Sequence, residues 1–162
     1  MAPRTFGPSA ANENERRKEV AILGHLLPVI IAGAETGAAP TLAPASTETI
    51  GLIDTGASDI CIDYRLAISL GLREIDQRNV GVVGGSVMAK IYLGRLIVPD
   101  VGFDRMCPLY ALKVRHPTHE VLLGRSFLEN YIVTFDGPAG MFTFAGREDF
   151  HPRSAIEDDF AT

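Results

Sequence analysis

Cysteine is scarce: there are two in 162 residues, and Cys61 and Cys107 alone build neither a disulfide framework nor a metal knot. Each sits in an apolar run, so both are expected to be buried free thiols, in keeping with a reducing, cytoplasmic setting. Basic charge is also short, with 15 Lys and Arg against 20 Asp and Glu for a net charge of −5. No long basic stripe is present, which argues against nucleic acid as the main partner. The Arg16-Arg17-Lys18 cluster is interleaved with Glu13, Glu15 and Glu19 and reads as a solvated polar segment. Long hydrophobic runs are missing too. The stretch from Val20 to Ala32 is too short to span a bilayer as a helix, so no membrane partner is expected. It imitates a signal peptide, with basic residues before it and Ala32-Gly33-Ala34 at its end. Its charged part is half acidic and begins late, however, and His25 and Pro28 interrupt it, so it reads as a first strand.

Several catalytic constellations are lacking as well. Ser58 and Ser126 have no recognisable His and Asp partners for a serine hydrolase. His116, His119 and Glu120 invite a metal reading, but Pro117 breaks the helical spacing that a zinc helix needs. Val83-Gly84-Gly85-Ser86 lies within strand patterns and opens no helix, so it is no phosphate cradle. No metal and no cofactor is expected. The chain has no internal repeat.

What is there favours an all-β fold. Hydrophobic residues make up 46% and charged residues 22%, ordinary values for a globular domain, while 16 glycines and 10 prolines accompany only short helical patterns. The length implies one domain. Residues 1–19 lack an apolar period and read as a flexible polar arm, residues 20–146 as the domain, and residues 147–162 as a flexible acidic tail. Within the domain, 20–33 reads as the first strand, with Pro28 marking an edge or bulge, and 34–47 as an extended loop. Residues 49–54 form a strand, and 63–71 a short helix with Asp63 as N-cap and Gly71 closing it. Residues 79–98 form a hairpin tipped at Gly84-Gly85, and 101–114 hold a further strand or two. After the loop 116–120 come a strand at 121–124, a helical turn at 125–130 and a hairpin over 131–144 turning at 136–140.

The most informative stretch is Leu52-Ile53-Asp54-Thr55-Gly56-Ala57-Ser58. An apolar run leading straight into an aspartate is costly unless hydrogen bonds hold the carboxyl and chemistry needs it there. Further on, Val121-Leu122-Leu123-Gly124-Arg125 repeats an apolar run before Gly-Arg, and between the two lies the glycine-tipped segment 80–89. These three elements, in this order, resemble the retropepsin-like (retroviral-type) aspartic proteases over residues 22–146, and more closely a cellular, bacterial-type member. The resemblance implies a closed β-barrel or sandwich with a flap hairpin and one or two short helices, one lobe per chain. It implies that Asp54 is the acid or base, that Thr55 bonds across to a partner loop, and that Gly56 lets the backbone approach substrate. Ala57, Ser58 and Asp59, with Val83, Gly84 and Gly85 of the flap, would contact substrate. Gly124 and Arg125 would support the loop. In the retroviral enzymes the matching arginine pairs with an acidic residue two places after the motif glycine. That place is Ser58 here, with Asp59 next, so the pair is shifted to Asp59, replaced by backbone contacts, or absent.

Hydrolysis of an amide by this chemistry needs two carboxyls about 3 Å apart sharing one proton. The chain carries one Asp-Thr-Gly, and neither Asp59 nor Asp63 is followed by such a turn. The second carboxyl would come from a second copy across a two-fold axis, making the expected molecule a homodimeric endopeptidase acting on peptide or protein substrates. A non-catalytic dimerisation or peptide-binding module on the same scaffold is the alternative. A third reading is a small monomeric barrel in which Asp54 merely caps a turn.

Overall fold

The computed structural model describes residues 2–33, 45–114 and 116–146. The tail expected over 147–162 lies outside the described residues, as does all of the loop expected over 34–47 except residues 45–47. In chain order the elements are β1 (Arg4–Phe6), α1 (Glu13–Leu23), β2 (Leu26–Ala32), β3 (Ser46–Ile53), β4 (Cys61–Asp63) and α2 (Tyr64–Ser69). They continue with β5 (Arg73–Val82), β6 (Gly85–Val98), a 3₁₀ turn at Pro99–Val101, β7 (Phe103–Leu112), β8 (Val121–Leu123), α3 (Arg125–Leu128), β9 (Ile132–Asp136) and β10 (Met141–Ala145).

The all-β expectation holds. The strands β2, β3, β8, β4, β7 and β6 pair in that order, and β6 pairs back onto β2, so the sheet closes into a six-stranded barrel. Closure removes free edges and lets Leu27, Val29, Ile31, Ile62, Leu96, Leu109 and Leu123 fill one buried interior. Pro28 pairs with Ile50 of β3, while β6 joins β2 only from Ile30 onward, so on that side the proline has no ladder bond to lose. Helix α2 begins as expected: Asp63 is wholly buried, its Oδ1 accepts from the Arg65 backbone N–H at 2.9 Å, and Arg65 Nε adds a second bond at 2.7 Å. Gly71, just past α2, takes φ +59°, the left-handed conformation that ends helices. Among the described residues no helix is long and apolar enough to cross a membrane.

Three expectations need correction. Residues 1–19 do not form a flexible arm throughout. Strand β1 pairs with β10 in a second sheet with β9, and Phe6 lies 5.5 Å from Phe142 between ring centroids. Helix α1 starts where Asn12 Oδ1 accepts from Glu15 N–H at 3.0 Å, with Glu13 and Glu15 in its first turn. It buries none of its own residues, which is why no apolar period announces it. It is held instead by Arg16, whose Nε donates to Ala139 O at 3.2 Å, and by a close approach to the turn at Gly140. The first strand accordingly starts at Leu26 rather than at residue 20, and the described helices number three rather than one or two.

The hairpin also differs. It begins at Arg73 rather than 79, because the charged, exposed start of β5 is held by its ladder with β6 and by Glu74–Lys90 contact at 2.8 Å, not by apolar alternation. Its turn is Val83-Gly84, with Gly85 already paired to Val82. Gly84 supplies the positive φ, +89°, that the second turn position requires.

Candidate active site

Strand β3 lies parallel to β8, pairing Gly51 with Val121, Leu52 with Leu122 and Ile53 with Leu123. One residue beyond, Asp54 N–H donates to Leu123 O at 3.1 Å, and the chain turns out of the barrel. The turn is closed by the aspartate itself. Asp54 Oδ1 accepts from Gly56 N–H at 2.9 Å and from Ala57 N–H at 3.3 Å, while Ala57 N–H also reaches Asp54 O at 3.2 Å. The half-buried carboxylate is thus compensated on one oxygen. Its Oδ2 makes no hydrogen bond among the described residues, and the exposed Thr55 hydroxyl makes none either.

Behind the loop the chain crosses at Gly124. A Cβ added there would stand 2.2 Å from Asp59 O and 2.9 Å from Ala57 O, so only glycine fits. The next two amides bind the same loop, Arg125 N–H to Ala57 O and Ser126 N–H to Ser58 O, each at 3.0 Å. Of the three alternatives for Arg125, replacement by backbone contacts is what is seen. Its Nη1 donates to Thr55 O at 3.0 Å and Gly56 O at 3.2 Å, and Nη2 to Ser58 Oγ at 2.7 Å. A hydroxyl and two carbonyls take the place of a carboxylate partner. Among the described residues no ion pair joins Arg125 to Asp59.

In front of the loop is a cavity of about 790 Å³. Of the expected site residues it brings together Asp54, Gly56, Ala57, Ser58, Asp59 and Val83. Thr55, Gly84 and Gly85 do not line it; Gly84 and Gly85 belong to the hairpin tip and the start of β6. The roof is formed by Val80 to Val83, and the barrel contributes Cys61, Tyr110, Leu112 and Leu122. Tyr110 of β7, which carries no motif in the sequence, is a wall of the cavity. Only the alternation of Val80 and Val82 in β5 offered a sequence signal for these walls.

Cys61 is buried, and burial together with the nearby carboxylates of Asp59 and Asp54 pushes its thiol up to about 12. The reactive thiolate is correspondingly depleted at neutral pH. Iodoacetamide at pH 8 is therefore expected to label Cys61 orders of magnitude more slowly in the native protein than after unfolding, as peptide mass mapping would show. His116 and His119 do meet, their rings stacked at 4.3 Å, but among the described residues no three His, Cys, Asp or Glu side chains are grouped to hold a metal.

The model of the aspartyl protease family matches residues 36–127, more than half of the chain. Among solved structures, a retropepsin-like aspartic protease from Rickettsia conorii aligns with a TM-score of 0.42 at 20% sequence identity, covering 74% of this chain and 91% of that one. No curated protein matches the chain.

Proposed function

Because the chain belongs to the aspartyl protease family, we propose that it is an aspartic endopeptidase whose active form is a homodimer. The observation that carries this reading is Asp54, half-buried at the mouth of the barrel, with one oxygen held by two backbone amides and the other unengaged among the described residues, under a long hairpin. A turn-capping aspartate explains the first oxygen but not the cavity of about 790 Å³ in front of it.

Two Asp54 carboxyls, one from each copy, meet at a two-fold axis and share one proton, since like charges about 3 Å apart cannot both ionise. The ionised carboxylate takes a proton from water, the protonated one donates to the scissile carbonyl oxygen, and the hydroxide adds to the carbonyl carbon. As that two-hydroxyl adduct collapses, the C–N bond breaks, the leaving amine takes the proton from the protonated carboxyl, and one adduct hydroxyl returns its proton to the other carboxylate, which restores the singly protonated dyad and releases the acid. Thr55 fixes the pair by hydrogen-bonding into the partner loop. Gly56 admits the peptide backbone, Ala57, Ser58 and Asp59 flank it, and the hairpin around Val83, Gly84 and Gly85 adds to an extended substrate as a further strand. Gly124 and Arg125 hold the loop in shape.

A shared site makes activity depend on assembly. Below the dimer dissociation constant, peptide hydrolysis is expected to rise with about the square of protein concentration, and the specific rate to level off as sedimentation shows dimer. A rate strictly proportional to protein while the chain sediments as a monomer would overturn the shared dyad. A dimer that binds peptides yet cuts none at any pH would mean the scaffold serves binding alone.

A further inference from the structure

Building on the protease reading, we propose that Asp59 makes the cavity select peptides with a lysine or arginine side chain close to the scissile bond. The walls contributed by Val80, Val82, Val83, Leu112 and Leu122 are apolar, and the charged residues lining the cavity are carboxylates only, Asp54 and Asp59. Asp59 is half-buried, and its carboxylate makes no hydrogen bond or ion pair among the described residues. The wholly buried Asp63, by contrast, is gripped by Arg65 through both oxygens, at 2.7 and 3.2 Å.

Two candidate cations, Arg125 and Arg78, are engaged elsewhere. Arg125 spends its guanidinium on Thr55 O, Gly56 O and Ser58 Oγ. Arg78 shares the strand face of Val80 and Val82 by the two-residue alternation of β5 and lies within electrostatic reach of Asp59. It is, however, bonded to Asp76 at 2.9 Å and does not line the cavity.

A substrate filling this cavity strips water from Asp59. An apolar side chain leaves that carboxylate without a partner, and an acidic one adds a like charge beside a dyad that is already negative. A lysine or arginine satisfies both surfaces, because its methylene stem lies along valine and leucine walls while its head reaches the carboxylate.

The test uses the full chain and a set of otherwise identical peptides. Lysine, norleucine or glutamate is placed in turn at each position flanking the cleaved bond, and kcat/KM is measured for the wild type, Asp59→Asn and Asp59→Glu. Lysine is expected to exceed norleucine on the order of fivefold at one position, the upper range for an incompletely buried ion pair. Glutamate should be the worst of the three, and added salt should narrow the spread. Asp59→Asn should erase the preference for lysine, and Asp59→Glu, which keeps the charge, should retain it. Cleavage with no preference at any position, or a preference that survives in Asp59→Asn, overturns this inference and leaves the protease reading standing. If the wild type cuts no peptide at all, both fall together.

Discussion

Replacing Asp54 by asparagine is expected to lower kcat/KM for peptide hydrolysis by about 10²- to 10⁴-fold while leaving the fold intact, since acid–base transfer of this kind contributes about two to four powers of ten. Asparagine keeps the carbonyl oxygen that accepts from Gly56 and Ala57 N–H, so the turn retains its closure. It cannot take a proton from water or share one with its mate. Thermal unfolding should therefore stay within about 1 kcal/mol of the wild type. The variant should also poison the native enzyme. In the proposed homodimer a mixed pair would carry one functional carboxyl, so excess Asp54→Asn added to wild-type protein should drive activity towards zero as subunits exchange. Retention of activity within about tenfold in the pure variant would remove Asp54 from the chemistry altogether.

The largest effect on stability is expected at Gly124. In Gly124→Ala the new Cβ would be driven 2.2 Å from Asp59 O and 2.9 Å from Ala57 O, both main-chain atoms that cannot rotate away. Either the loop or β8 must shift, at the expense of the amide bonds from Arg125 and Ser126 to the same loop. Overpacking of this kind costs about 2–4 kcal/mol, which for a domain of this size lowers the thermal midpoint by about 5–15 °C. Activity should fall even at temperatures where the variant is fully folded, because the displaced atoms flank Asp54. Gly81→Ala is the control: its added Cβ meets nothing within 4 Å, so its midpoint should hardly move. Equal midpoints for the two variants in calorimetry would show that the crossing behind the loop is not tight.

Elements whose cause is local could be read from the chain. Asp63 and Gly71 bracket α2 with a cap and a left-handed residue, and the helix is where they put it. The apolar run into Asp54 and the run before Gly124 likewise announce two strands that end in the site. Where the cause lay in a distant partner, the reading failed. Nothing near residues 13–23 signals that Arg16 will find Ala139 O or that the helix backbone will lie against Gly140. Strand β1 is three residues long and exists only because β10 offers it an edge.

The site divides in the same way. The sequence alone marked Asp54 as the candidate carboxyl and showed a single Asp-Thr-Gly, and its resemblance to the retropepsin-like proteases implied the barrel, because an aspartate after an apolar run, a glycine-rich turn and a count of motifs are properties of contiguous residues. Only the tertiary structure decided that Arg125 would hold Thr55, Gly56 and Ser58 instead of a carboxylate, that Tyr110 would wall the cavity, and that Asp59 would line it with no partner among the described residues. Those outcomes depend on side chains brought together across the barrel, where sequence separation is large and closure of the sheet, not local preference, chooses the neighbours.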